Sequence, residues 1–413
     1  MERDSDFPEG FLWGASSSAH QAEGYNHNDW TEWEEKTAKT RANKAGETKW
    51  PRYISDNYPS PLNEDNYISG KSADHFHRFG EDFEIAASLG HNAHRFSIEW
   101  SRIEPEEGEF SDSAISHYRG VFRSLRERGL RPVVTLWHWT LPLWVAERGG
   151  WENGKTIGWF AAYAGKIFSE FKDENALWIT INEPEVWAAN SYLVGKWPPQ
   201  KNNLFSYLRV LKNLARAHKE CCDVMRSVSR NFSVGIAKHN VYFEAAGKKV
   251  LNRILKRAAD WWWNSDFLDR IEGYYDFIGL NYYFHNRIDY GFNKNENSWI
   301  SDMGWEIYPD GLYHALLDLG KYRKPIYVTE NGIADSRDAE RGKFITEMTR
   351  SIGRAIRGGV DVRGYLYWSL TDNFEWVYGF WPRFGLVGID YKNFERKIRP
   401  SALVYKKIIK GKL

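Results

Sequence analysis

Short runs dominated by Val, Ile, Leu and aromatic residues recur along the chain. They fall at Phe11–Ala15, Ala93–Ile98, Arg131–Trp137, Ala176–Ile181, Ser233–Ala237, Phe277–Leu280, Pro325–Thr329 and Gly364–Trp368. Few of them alternate apolar with polar positions, so each is expected to be a strand buried on both faces. Between them the period changes to that of amphipathic helices, as at Asp74–Leu89, Ser113–Arg128, Gly158–Phe171, Leu204–Val228 and Glu340–Arg357. Punctuation such as Arg128-Gly129-Leu130 closes a helix before the next strand. Eight strand–helix units predict one α/β domain over residues 1–413, a closed (β/α)8 TIM barrel with long βα loops. No G-x-G-x-x-G follows any strand, which weighs against an open nucleotide-binding sheet. Residues 34–70 and 284–310 are predicted to be long loops, the second carrying Trp299 and Trp305 as one wall of a cleft. The basic tail from Lys406 to Lys412 suits the end of a terminal helix.

Polar residues cluster where these runs stop: Gln21, Arg95, His138, Asn182, Glu183, Asn281, Tyr283, Glu330 and Trp368. In a barrel all such ends converge on one face, where active sites lie. Two carboxylates stand out, Glu183 in Thr-Ile-Asn-Glu-Pro and Glu330 in Val-Thr-Glu-Asn-Gly, each ending a β-branched run and each beside an Asn. Glycoside hydrolysis is the leading chemistry that needs such a pair. Glu183, near Trp178, Trp187 and Trp139, is expected to have a raised pKa and to act as the general acid. Glu330 would stay ionised as nucleophile, with Arg95 supplying the opposing charge and Tyr283 a phenolic hydrogen bond. A retaining mechanism places the two carboxyls about 5 Å apart. His138, between two Trp, is suited to bind sugar hydroxyls. The segment from Trp368 to Trp376 combines flat rings with Asp372, Asn373 and Glu375, which can grip vicinal hydroxyls while a ring stacks on the sugar.

Composition changes the picture in two ways. Aromatic residues reach 16%, with 21 Trp; much of this must be core, while rings near polar strand ends would suit pyranose faces, and composition alone leaves both readings open. The net charge is only +1, so no global field favours nucleic acid or membrane. The only cysteines, Cys221 and Cys222, are adjacent in a helical stretch and read as buried structural residues. The amino terminus lacks an apolar signal core, so a cytoplasmic location is expected. No His/Cys/Asp cluster has metal spacing and no G-x-S-x-G elbow occurs, so neither a metal, another cofactor nor a serine nucleophile is expected.

From end to end the chain resembles glycoside hydrolase family 1, the retaining β-glucosidase/β-galactosidase family. The motifs that carry the resemblance include Gln21-Ala-Glu-Gly24, Arg95-Phe-Ser-Ile-Glu-Trp-Ser-Arg102, His138-Trp-Thr-Leu-Pro142, Thr180-Ile-Asn-Glu-Pro184, Asn281-Tyr-Tyr283, Thr329-Glu-Asn-Gly332 and the run from Trp368 to Trp376. The resemblance implies Glu183 as acid/base and Glu330 as nucleophile, with Arg95 and Tyr283 tuning the latter. It further implies a sugar-binding set of Gln21, His138, Trp139, Asn182, Asn281, Tyr283, Glu375 and Trp376, with Trp368 as stacking platform. Terminal β-glucosyl residues are the expected substrate, and galactosyl or fucosyl residues fit the same pattern. Three alternatives remain: a 6-phospho-β-glycosidase, disfavoured because the Glu375 carboxylate would repel phosphate; a transglycosidase; and a barrel that binds sugar without catalysis. The chain is shorter than many relatives after the fifth strand, across residues 240–275, and no role attaches to Trp261-Trp-Trp263. Oligomeric state is not legible.

Overall fold

The computed structural model describes residues 7–412, so the amino-terminal reading lies outside the described residues. Eight parallel strands close into a barrel: β1 (Leu12–Ser16), β2 (Ala93–Ser97), β3 (Arg131–Trp137), β4 (Leu177–Asn182), β5 (Ser233–Ala245), β6 (Phe277–Ile288), β7 (Ile326–Asn331) and β8 (Val362–Trp368). β1 closes it by pairing with β8, from Leu12 opposite Gly364 to Ser16 opposite Trp368.

The interior is built in layers. Leu12, Ala93, Val133, Leu177, Ile179, Ala237, Phe277, Tyr327 and Leu366, drawn from all eight strands, form one apolar cluster that fills the barrel. Because successive side chains alternate faces, the residue two positions on points the same way. Two positions past Ala93, Val133 and Tyr327 stand Arg95, Thr135 and Thr329, all buried. The lumen therefore changes from apolar to polar within one layer, and that change sets the depth of the site. Outside the strands a larger core packs the helices against the barrel, Cys221 and Cys222 included, both free thiols. None of the helices among the described residues is long and apolar enough to cross a membrane.

The barrel and its main helices follow the hydrophobic pattern closely; the helix Leu204–Val228 has the predicted ends. Three expectations need correction. Strands β5 and β6 run well past Ala237 and Leu280, pairing with each other as far as Ala245 opposite Ile288. These extensions lose the uniform apolar pattern because they begin with buried polar residues and then rise above the barrel rim, where burial is one-sided. The predicted loop at 34–70 begins inside a helix, Asp29–Ala45. Asn28 caps that helix by accepting from the Trp30 and Thr31 amides. Its buried stripe of Trp30, Glu34, Ala38, Ala42 and Ala45 is mostly small residues, which hides the helical period. On this helix the Arg41 guanidinium lies over the Trp33 and Tyr67 rings. In 284–310 Trp305 reaches the cleft, whereas Trp299 packs against the core under the Lys343 ammonium. The terminal helix is Pro400–Ile409, with Lys406 and Lys407 in its last turn.

Candidate active site

A cleft of about 430 Å³ opens at the carboxyl ends of the strands. Gln21, His138, Trp139, Glu183, Tyr283, Glu330, Trp368, Glu375 and Trp376 line it. Arg95, Asn182 and Asn281 lie just beneath, fully buried, and hold the lining residues from below. Every residue that the strand ends suggested is thus brought to one place.

At its centre is a network of buried polar groups. Arg95 sends one nitrogen to Glu330 Oε1 at 2.5 Å and to the Thr329 carbonyl, another to Asn182 Oδ1 at 2.7 Å, and Nε to Thr135. Tyr283 donates its hydroxyl to Glu330 Oε2 at 3.0 Å. Asn281 donates Nδ2 to Glu183 Oε1 at 2.8 Å and to Asn182 Oδ1 at 3.1 Å, and its amide also lowers the pKa of Glu330. Thr329 orients that amide by donating to Asn281 Oδ1.

The two carboxyls sit in different fields. Burial and the negative charge of Glu330 push Glu183 well above the usual carboxylate range, with only partial relief from Asn281 and Arg95. Burial raises Glu330 too, but Arg95, Tyr283 and Asn281 all pull it back down. The first proton to leave the pair is therefore that of Glu330. Glu375, half-buried and facing the same charge, is pushed up to about 8 by burial and by Glu330. Gln21 Nε2 donates to its Oε2 at 3.3 Å.

Hydrogen bonding fixes two histidine tautomers. Asn182 Oδ1 already accepts from Arg95 and Asn281, so its Nδ2 donates to His138 Nε2 at 3.2 Å. His138 Nδ1 then carries the proton and has no protein partner. Its ring stacks between Trp368 and Trp376, and burial beside Arg95 keeps it neutral, well below its ordinary pKa. On β5, Trp263 Nε1 donates to His239 Nδ1, which leaves the His239 Nε2 proton unpartnered in the cleft. His239 is neutral as well, pushed down to about 3 by burial.

The backbone is strained here. Glu183, Trp139 and Trp376 take positive φ values of 42°, 82° and 48°, a region that costs a non-glycine residue of order 1–3 kcal/mol. Pro184 contributes at Glu183, since a residue before proline is disfavoured in the right-handed helical region while Pro184 itself starts the helix Pro184–Ala188.

Asp372 does not face the cleft. Its carboxylate pairs with Arg399 at 2.8 and 2.9 Å and accepts from the Gly385 amide, so it ties the last βα segment together. Asn373 acts one step back, accepting from Gln21 at 3.3 Å. Conversely, the strand ends singled out in the sequence omitted β5. Applied to Lys238-His239-Asn240, the same rule finds His239. Trp263, Phe243 and Asn286 come to the cleft with it, on the β5 and β6 extensions and the helical connection between them.

An eight-stranded α/β barrel with a charge-polarised pair of carboxyls at its mouth, roofed by indole rings, defines a glycosidase. The chain belongs to glycosyl hydrolase family 1, whose sequence profile matches residues 3–267 and 248–413. It is 33% identical to the 1,4-beta-D-glucan glucohydrolase of Thermotoga neapolitana and to beta-glucosidase A of Thermotoga maritima, each alignment covering 98% of both chains. Among solved structures, the beta-glycosidase from Pyrococcus horikoshii superposes with a TM-score of 0.86 at 36% identity, covering 98% of this chain and 95% of that one. The Thermotoga maritima beta-glucosidase in complex with glucoimidazole gives 0.87 at 31% identity, covering 99% of both.

Proposed function

We propose that the chain hydrolyses terminal β-D-glucosyl residues with retention of configuration, Glu330 serving as nucleophile and Glu183 as acid/base. Glu330 bonds to the anomeric carbon as the glycosidic C–O bond breaks, and Glu183 gives its proton to the departing oxygen. Glu183, now ionised, takes a proton from water, whose oxygen attacks the same carbon and expels Glu330. The chain of hydrogen bonds from Glu330 through Arg95 and Asn182 to Asn281 and Glu183 carries this reading. It gathers both carboxyls over one polar layer, and retention calls for them to stand roughly 5 Å apart. His138 Nδ1, Gln21 and Glu375 offer polar groups to the glycone, and Trp368 offers its face. Galactosyl and fucosyl residues are further substrates of the same pocket. The outer cleft of Trp263, His239, Phe243 and Trp305 receives the leaving group. Glu330→Gly should abolish hydrolysis of an aryl β-glucoside, and azide should restore turnover with an α-glucosyl azide as product. Absence of that product would move the nucleophile elsewhere.

A further inference from the structure

The helix Val250–Ala259 and the turn that follows it turn their apolar side outwards. Val250, Leu251, Ile254, Trp261 and Trp262 are all exposed, Val250 by 64% and Trp261 by 58%. On a helix Val250, Ile254, Arg257 and Trp261 fall in one stripe, with Leu251 and Trp262 beside it. Of this helix only Asn252 and Ala259 are buried. The stripe is continuous with a second exposed apolar group. The Trp262 ring meets Tyr207 at 6.3 Å, and around Tyr207 stand Phe205, exposed by 79%, and Leu208.

Cations outnumber carboxylates around this face. Residues 248–262 contain Lys248, Lys249, Arg253, Lys256 and Arg257 against one carboxylate, Asp260. Residues 194–219 carry six further cations and no carboxylate, with Arg209, Lys212 and Arg216 along the exposed side of their helix. Lys249 and Lys256 are paired with Asp289 and Asp260, while Arg253 and Arg257 face solvent. The near-zero net charge of the whole chain conceals this separation. A second copy of the chain is a poor occupant, because a two-fold contact would set the cationic rim against itself. Indole and aliphatic side chains flanked by cations match an anionic lipid surface, where the rings enter the headgroup region and the cations meet phosphate.

From this face we infer that the protein docks peripherally on an anionic bilayer through residues 250–262 and the first turn of the helix Leu204–Val228. Trp263, next in the chain, lines the cleft, so docking would bring the cleft mouth to the membrane.

Flotation with vesicles of phosphatidylglycerol and phosphatidylcholine tests this. Wild type should partition onto 1:1 vesicles at least tenfold better than onto pure phosphatidylcholine, and raised salt should release it. Ile254→Ser/Trp261→Ser and Arg253→Glu/Arg257→Glu should each lose the binding at least tenfold, with unchanged hydrolysis of a soluble aryl glucoside. The inference is overturned if wild type stays with the unbound fraction, if neutral vesicles bind equally, or if both double variants bind like wild type. It also fails if light scattering shows a dimer that the Ile254→Ser/Trp261→Ser variant dissolves, since a second copy would then cover the face. Loss of glucosidase activity alone would bear on the proposed reaction and leave vesicle binding as a separate result.

Discussion

Arg95 on β2 reaches across the barrel to Glu330 on β7, and its guanidinium has no exposure to solvent. Among the described residues this is the one cation ion-paired with either carboxyl of the site. It holds Glu330 towards the ionised form while burial acts in the other direction. Replacing it by Met removes the force that lowers the Glu330 pKa. Because Glu330 reacts as the carboxylate, the acid limb of the kcat/KM profile of Arg95→Met should move to higher pH. At the wild-type optimum kcat should fall by at least ~100-fold, the scale of losing one preorganised charge-stabilising donor. A uniform loss with an unshifted acid limb would reduce Arg95 to a packing role.

The converse coupling runs from Glu330 to Glu183. After burial, the charge of Glu330 is the largest influence raising the Glu183 carboxyl. Glu330→Gln deletes that charge and keeps the shape, so Glu183 should titrate at lower pH than in wild type. It should still lie above an ordinary glutamate, because its burial is untouched. Carboxyl infrared difference spectra or carbon NMR across the titration would show the shift directly. An unchanged Glu183 would mean that the two groups do not share one field.

The barrel was legible because its strands are buried on both faces, and that requirement writes long apolar runs into the sequence. The site was legible for a related reason. A polar residue at the end of such a run, like Asn182 or Glu330, has no structural excuse unless it faces the mouth. The rule failed where buried strand positions are polar. Beyond Ala237 the sequence Lys238-His239-Asn240 resembles a loop, although all three residues are buried, Lys238 in an ion pair with Glu185, and the strand continues to Ala245. It also failed where a carboxylate has a partner distant in sequence: nothing near Asp372 announces Arg399. Hydrogen-bond direction was out of reach too. The unpartnered protons on His138 and His239 follow only from what Asn182 and Trp263 do with their own donors.

Glu375 connects the site to pH through stability. Its folded pKa of about 8 lies far above the unfolded value of a glutamate near 4.3. The folded state therefore binds the extra proton between these limits, and stability falls as pH rises from about 4.5 to 8. Glu375→Gln cannot lose a proton. Its Tm relative to wild type should thus increase steadily over that window, while KM for a β-glucoside rises by roughly 3- to 10-fold from the altered neutral hydrogen bonds to the glycone. Calorimetry at pH 5 and pH 8 separates the cases. A constant Tm difference would place the Glu375 titration outside the window.

Gly332 ends Thr-Glu-Asn-Gly, where the sequence suggests only that the strand stops. The structure adds a second demand. A Cβ on Gly332 would sit 1.8 Å from the Trp368 carbonyl oxygen and 3.2 Å from the Trp368 Cβ. The first contact is with backbone, which cannot swing aside like a flexible side chain. Gly332→Ala must therefore push Trp368 away from His138 and out of its place in the cleft. It should cost at least 1–3 kcal/mol, the range of overpacked cores, and weaken binding of β-glucosides together with stability. Gly80→Ala is the matched control: it lies inside the helix His75–Ser88 with no heavy atom within 4 Å of the added carbon. There the substitution should hold or raise Tm by removing backbone freedom from the unfolded chain. Similar Tm and KM changes in the two variants would show that the approach of Gly332 to Trp368 does not set the position of that ring.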